Sequence, residues 1–145
     1  MSGGKGTIFD GQLLALILNG TSISNIADNA ASSPLTTLYL SLHTTDPGAG
    51  GVQNSNEATY TGYGRQGVSR NSSGFTVSGA SATLTSTVSF GTPTGGAGQV
   101  LAWFALGTLV TGSGEILYRG PITPSITVVN GVPPQLTTGT TITEG

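Results

Sequence analysis

The side chains best suited to chemistry gather in one stretch of the chain. His43 is the only imidazole, Asp46 follows it closely, and hydroxyls are plentiful around both. A Ser-His-Asp device needs an imidazole oriented by a carboxylate and set beside a hydroxyl, so the parts exist. No G-x-S-x-G elbow accompanies them, and His43 falls on the polar side of a predicted strand, where it reads as an ordinary strand-end histidine. Asp46, Asn54, Asn56 and Glu57 flank a Gly-rich loop and offer the oxygen atoms that calcium prefers. Their spacing matches no EF-hand, and the reading is a solvated loop. With no Cys and one His, a zinc site lacks ligands. The six acids are scattered, which disfavours the carboxylate pair of glycoside hydrolysis. The Gly-rich stretches at 92–98 and 112–114 lack the Lys-Ser/Thr of a phosphate loop. No catalytic, cofactor-binding or metal-binding residue is assigned, no cofactor is expected, and the chain is expected not to be an enzyme.

The patterned aromatics and arginines point to binding instead. Tyr60 and Tyr63 precede Arg65 at the start of a predicted strand, Trp103 and Phe104 lie within another, and Arg119 closes a third. Period-2 geometry sends Trp103 and Phe104 to opposite faces, so one of them can face outward. Aromatics and Arg are enriched among interface anchors, and Arg suits forked bonds to a partner's carboxylate or backbone. Together with Ile8, Phe9 and Leu13 on the N-terminal helix, the partner-interface candidates are Tyr60, Tyr63, Arg65, Trp103 and Arg119.

These residues need elements to position them. Residues 1–6 read as a Gly-rich arm. A helix over 8–19 follows, with Thr7 and Asp10 in capping-box spacing and Gly20 as a left-handed stop. Its apolar residues cover more than one face, so it should be buried by the domain or by a neighbouring subunit. A turn of helix near 24–28 is expected. Leu38, Leu40 and Leu42 alternate with Tyr39, Ser41 and His43, the pattern of a half-buried strand that ends at Asp46-Pro47-Gly48. Further strands are predicted at 63–70, 75–78, 82–90, 99–108, 115–118, 126–129 and 140–143, with Asn130-Gly131 as a two-residue hairpin turn. The fold class is mainly β: an antiparallel sandwich or jelly roll with one N-terminal α-helix. The division expected is 1–20 for the arm and helix, and 21–145 for a single β domain.

Charged residues make up 7% of the chain, and formal net charge is −2. Four basic residues cannot supply the row of phosphate contacts on which nucleic-acid affinity depends, so no direct nucleic-acid partner is expected. The longest apolar run, 13–18, is far shorter than the ~20 residues of a membrane span, and no membrane partner is expected. Asn19-Gly20-Thr21-Ser22 makes a poor cleavage site, so no signal peptide is expected. A surface this poor in charge suits being covered by other subunits.

The order of segments resembles a family of small tailed-bacteriophage virion proteins, whose members are head decoration (cement) or tail-fibre-like proteins. The resemblance spans about 8–143. It rests on the segment from Leu38 through Tyr39, Leu42 and His43 to Asp46-Pro47-Gly48, and on Glu57 followed by Tyr60-Thr61-Gly62-Tyr63-Gly64-Arg65. Trp103-Phe104 and Tyr118-Arg119-Gly120-Pro121 add to it. It implies a β subunit on the virion that acts by binding. The function expected is a capsid decoration protein on the outer surface of the head, partnered by the major capsid protein and by itself as a homodimer or homotrimer. The alternative is a tail- or head-fibre component that binds a host receptor or surface glycan.

Overall fold

The computed structural model describes residues 6–23 and 34–144. The fold is mainly β with antiparallel pairing and one helix near the N-terminus, as the sequence predicts. The described residues divide into two compact units, built from 6–23, 34–36, 69–87 and 137–144, and from 37–68 and 88–136. The helix falls in one unit with strands far along the chain. The arm at 1–5 and the helical turn near 24–28 lie outside the described residues.

In the first unit, α1 (Thr7–Asn19) packs against β3 (Phe75–Ser78) and β4 (Ser81–Leu84), and β4 pairs with β9 (Thr141–Thr143). Phe75, Ala82, Leu84 and Ile142 form the core with Leu14 and Leu18. A Cβ on Gly11 would lie 2.7 Å from the Gly79 carbonyl oxygen, so helix and hairpin meet as closely as glycine permits. The predicted capping box does not form. Gly6 is the N-cap, Thr7 is already helical, and the Asp10 amide bonds the Gly6 carbonyl at 3.1 Å. Asp10 turns inward on the stripe of Leu14 and Leu18, where its Oδ1 meets no donor among the described residues. That stripe is the buried face of α1, and Ile8 and Phe9 are exposed.

The C-terminal end of α1 behaves as predicted. Gly20 adopts φ 66, and the Thr21 amide returns to Ala15 at 3.0 Å. Arg70 completes the cap. Its Nε donates to the Ile17 carbonyl at 2.6 Å, its Nη2 to Leu16 at 2.6 Å, and its Nη1 to Leu35 at 3.1 Å. A guanidinium here satisfies carbonyls that have no partner in the helix and opposes their dipole.

In the second unit a four-stranded sheet runs β2 (Gln66–Ser69), β1 (Thr37–His43), β6 (Val100–Gly107), β7 (Ile116–Thr127). Leu42 stands opposite Phe104, which stands opposite Gly120; His43, Trp103 and Pro121 align one residue along. Two short strands of the same unit, β5 (Val88–Ser89) and β8 (Gln135–Leu136), pair with each other. The predicted strands at 115–118 and 126–129 are largely one strand. Pro121 and Pro124 are tolerated within β7 because it lies at the sheet edge. The predicted Asn130-Gly131 turn is present, with Val129 bridging Val132. β1 departs from its half-buried expectation: Leu38, Leu40 and Leu42 are buried as predicted, but so are Ser41 and His43. The segment 46–58 folds over the polar face of this central strand, where the Ser55 carbonyl and the Gln53 side chain bond to it.

Candidate functional site

The polar side chains singled out in the sequence do converge, but inside the second unit. Glu57 and Arg65 form a forked pair, with Nε to Oε1 at 2.7 Å and Nη2 to Oε2 at 2.8 Å. Both side chains are largely buried, at 15% and 3% exposure. Tyr63 donates its hydroxyl proton to Glu57 at 2.8 Å and accepts the Leu42 amide at 3.1 Å. The rest of the guanidinium donates to the carbonyls of Leu109 at 3.0 Å and Gly112 at 2.6 Å. Glu57 holds the Arg65 pKa above its ordinary value, against the opposing effect of burial. Burial pushes the Tyr63 phenol well above its usual range, so it remains a donor. The network thus ties β1 to the 60–66 segment and to the turn after β6.

His43 lies beside this network and is wholly buried. Burial lowers its pKa below 6.5, with the Ser55 carbonyl and the Glu57 charge opposing that shift. The neutral ring donates from Nδ1 to the Ser55 carbonyl at 2.8 Å. Nε2 then accepts the Ser41 hydroxyl proton at 2.8 Å, which leaves the 3.4 Å contact from Ser41 to the Ala105 carbonyl secondary. Asp46 plays no part in orienting the ring. Hydroxyl and imidazole are therefore adjacent, and both are fully buried.

Gln53 is the buried polar residue that the sequence did not single out. Its amide donates to the Tyr39 carbonyl at 3.3 Å and accepts the Leu109 amide at 2.9 Å, and its backbone amide donates to Gly114 at 2.8 Å. Gly107 and Gly114 leave room for it: a Cβ on either would overlap the Gln53 side chain. The signal was the pair of glycines bracketing the turn, which reads as a loop until its filler is known.

At the surface, Arg119 donates from Nη1 to both Asp46 oxygens, at 2.7 and 2.8 Å, and lies 5.7 Å over the Trp103 ring. Asp46 also accepts the Gly48 amide at 2.8 Å, which fixes the predicted turn. This exposed pair is worth at most about 1 kcal/mol.

The eight interface candidates divide accordingly. Tyr60 is buried, with its hydroxyl on the Gly91 carbonyl and its ring edge-on to Tyr63; Tyr63 also stacks on Phe90. Tyr60 and Arg65 are interior, and Tyr63 is mostly so, which corrects their reading as outward anchors. They bond within the chain because Gly62, Gly91 and Gly96 let the 60–66 and 90–96 segments approach to backbone contact. The Arg forks expected to reach a partner are closed within the chain at Arg65 and Arg119, and Arg70 is likewise bonded within it. Ile8 and Phe9 are exposed, and Leu13, Trp103 and Arg119 are half-buried. Among the described residues, no three His, Asp or Glu side chains gather as a metal cluster, and Asp46 and Glu57 are each held by an arginine. No helix of the described residues is long and apolar enough to cross a membrane.

Residues 16–144 match the family model described as podophage GP4 fiber I protein gp80. No curated protein matches the chain.

Proposed function

The chain belongs to the podophage GP4 fiber I protein gp80 family, and on that premise we propose that this virion structural protein is a subunit of a phage fibre that works by binding. The observation that carries the reading is the match itself, which takes in every strand of the described residues and the last turn of α1. The site supports it. The groups most able to do chemistry are committed to holding the backbone: Glu57 to Arg65, Asp46 to Arg119, and His43 to Ser41 and Ser55. That commitment supports a role in binding over one in catalysis.

The family description favours the fibre reading over the cement reading that the sequence ranked first. A cement subunit would cover the head in very many copies and stabilise the shell by binding only the assembled lattice. A fibre subunit would be present in few copies, at the fibres alone. Gold-labelled antibody against the purified protein, applied to intact virions, separates these. Label on fibres is expected. Label spread over the head, with the major capsid protein as cross-linked neighbour, would restore the cement reading. Host contact is the further expectation for a fibre, and purified protein should then compete with virions for adsorption to cells.

A further inference from the structure

The β6–β7 pair displays exposed aliphatic side chains at both of its ends. At one end the turn after β6 presents Leu109 and Val110, 49% and 53% exposed, with Val52 brought alongside by its bridge to Glu115. At the other end Val100 opens β6, and the turn after β7 presents Val129 and Val132, 52% and 58% exposed. Val128 holds this second turn to the strand through backbone bonds: its amide donates to Gln99, and its carbonyl accepts from Gly98, each at 2.8 Å. The eight residues of β6 separate the two ends by roughly 27 Å.

The first end is rigid by construction. Arg65 holds the carbonyls of Leu109 and Gly112, Gln53 holds the Leu109 amide and the Gly114 carbonyl, and Thr108 and Glu115 close the base at 3.2 Å. A desolvated ion pair and a buried amide are thus committed beneath a turn that shows its aliphatic side chains to water. Such preorganisation favours association, since little freedom is left to lose on docking.

The chemistry of the two ends selects the occupant. Residues 127–132 carry no charged side chain, and the first patch has only Glu115 at its margin. Each end is the uncharged aliphatic surface that the other requires, and one chain carries both. We propose that the turn at 108–114 of one copy docks on the Val100, Val129 and Val132 end of a second copy, joining subunits end to end. The two patches differ, so the contact is heterologous and propagates into a filament or closes into a ring, unlike a two-fold dimer. The proposal rests on the fibre reading only in taking further copies as neighbours.

The chain has no Cys, so single cysteines report the contact without background. Leu109→Cys and Val132→Cys are mixed and oxidised. A mixed disulfide dimer is expected to predominate, and a variant with both cysteines is expected to give a ladder of oligomers. Dimers formed mainly by either variant alone, or no cross-linked product, would overturn the contact. Light scattering on unmodified protein should show mass rising with concentration. Val110→Asp and Val132→Asp should each weaken association by about tenfold or more, because each places a charge in a dry contact, with circular dichroism unchanged. Mass that remains monomeric throughout, or that ignores both substitutions, refutes the proposal. Antibody labelling of virions is independent of these results, so a monomer found on fibres would remove the end-to-end contact and leave the fibre role standing.

Discussion

Glu57 and Arg65 are the side chains of the second unit whose single loss should cost most. Removing one partner of a buried pair leaves an uncompensated charge and costs about 3–5 kcal/mol. Arg65→Ala also releases the Leu109 and Gly112 carbonyls, so it should lie at the upper end of that range in urea unfolding followed by Trp103 fluorescence. Glu57→Leu combined with Arg65→Met should recover much of the loss, since no charge is then buried. A double variant as unstable as Arg65→Ala would show that the carbonyl bonds, and not the charges, dominate. His43 gives a separate, pH-dependent signal. Its folded pKa lies below 6.5, so the unfolded chain binds the proton more tightly. As pH falls from 6.5 to the folded value, stability falls with it, at no more than about 1.4 kcal/mol per pH unit. Above that window the group contributes no slope. His43 is the only histidine, so His43→Gln should flatten the dependence of unfolding free energy between about pH 7 and 5.5. A slope that survives the substitution assigns it to carboxylates.

At the scale of elements, stability is held at a few junctions. Arg70 caps α1 from far along the chain, 53 positions beyond Ile17 and 54 beyond Leu16. Arg70→Ala should cost about 1–2 kcal/mol, the upper part of the range for a cation at a helix C-terminus, and should speed amide exchange in the last turn of α1. Exchange unchanged there would mean that Gly20 alone ends the helix. Gly107 and Gly114 form the other junction. At Gly107 a Cβ would meet the Glu115 carbonyl oxygen at 2.5 Å as well as Gln53, so Gly107→Ala should cost about 1–3 kcal/mol by overpacking. Shortening Gln53 to Ala relieves only part of that clash, and the double variant should remain less stable than Gln53→Ala alone. The β content, the alternation of Leu38, Leu40 and Leu42, the Gly20 stop and the Asn130-Gly131 turn were legible because each depends on local spacing. The burial of Ser41 and His43 was not, because it depends on which later segment covers β1. The union of two predicted strands into β7 was hidden by its prolines, which an edge position excuses. Arg65 and Glu57 were both visible as residues. Their pairing was not, since the separation along the chain reveals no geometry until Tyr63 and the glycines bring the backbones together.

For the whole molecule, the low charge sets what kind of force can join copies. With 7% charged residues and the described arginines bonded within the chain, the proposed contact between copies would draw chiefly on apolar burial and neutral hydrogen bonds. Such association has a distinct response to solution conditions. Sodium chloride raised from about 0.05 to 0.5 M shortens the screening length several-fold, yet it should shift the association constant by less than about twofold. Sulfate should strengthen association, and cooling toward about 0 °C should weaken it, as apolar burial loses its driving force in the cold. Sedimentation across those three variables distinguishes the causes. A steep loss with sodium chloride would place Arg119, Asp46 or Glu115 in the contact, since they are the exposed or half-exposed charges of the second unit. Association favoured by cooling would point to hydrogen-bonded strand edges, with β7 as the edge concerned. Growth with sulfate and with warmth, indifferent to sodium chloride, is the pattern that aliphatic ends on a rigid strand pair require.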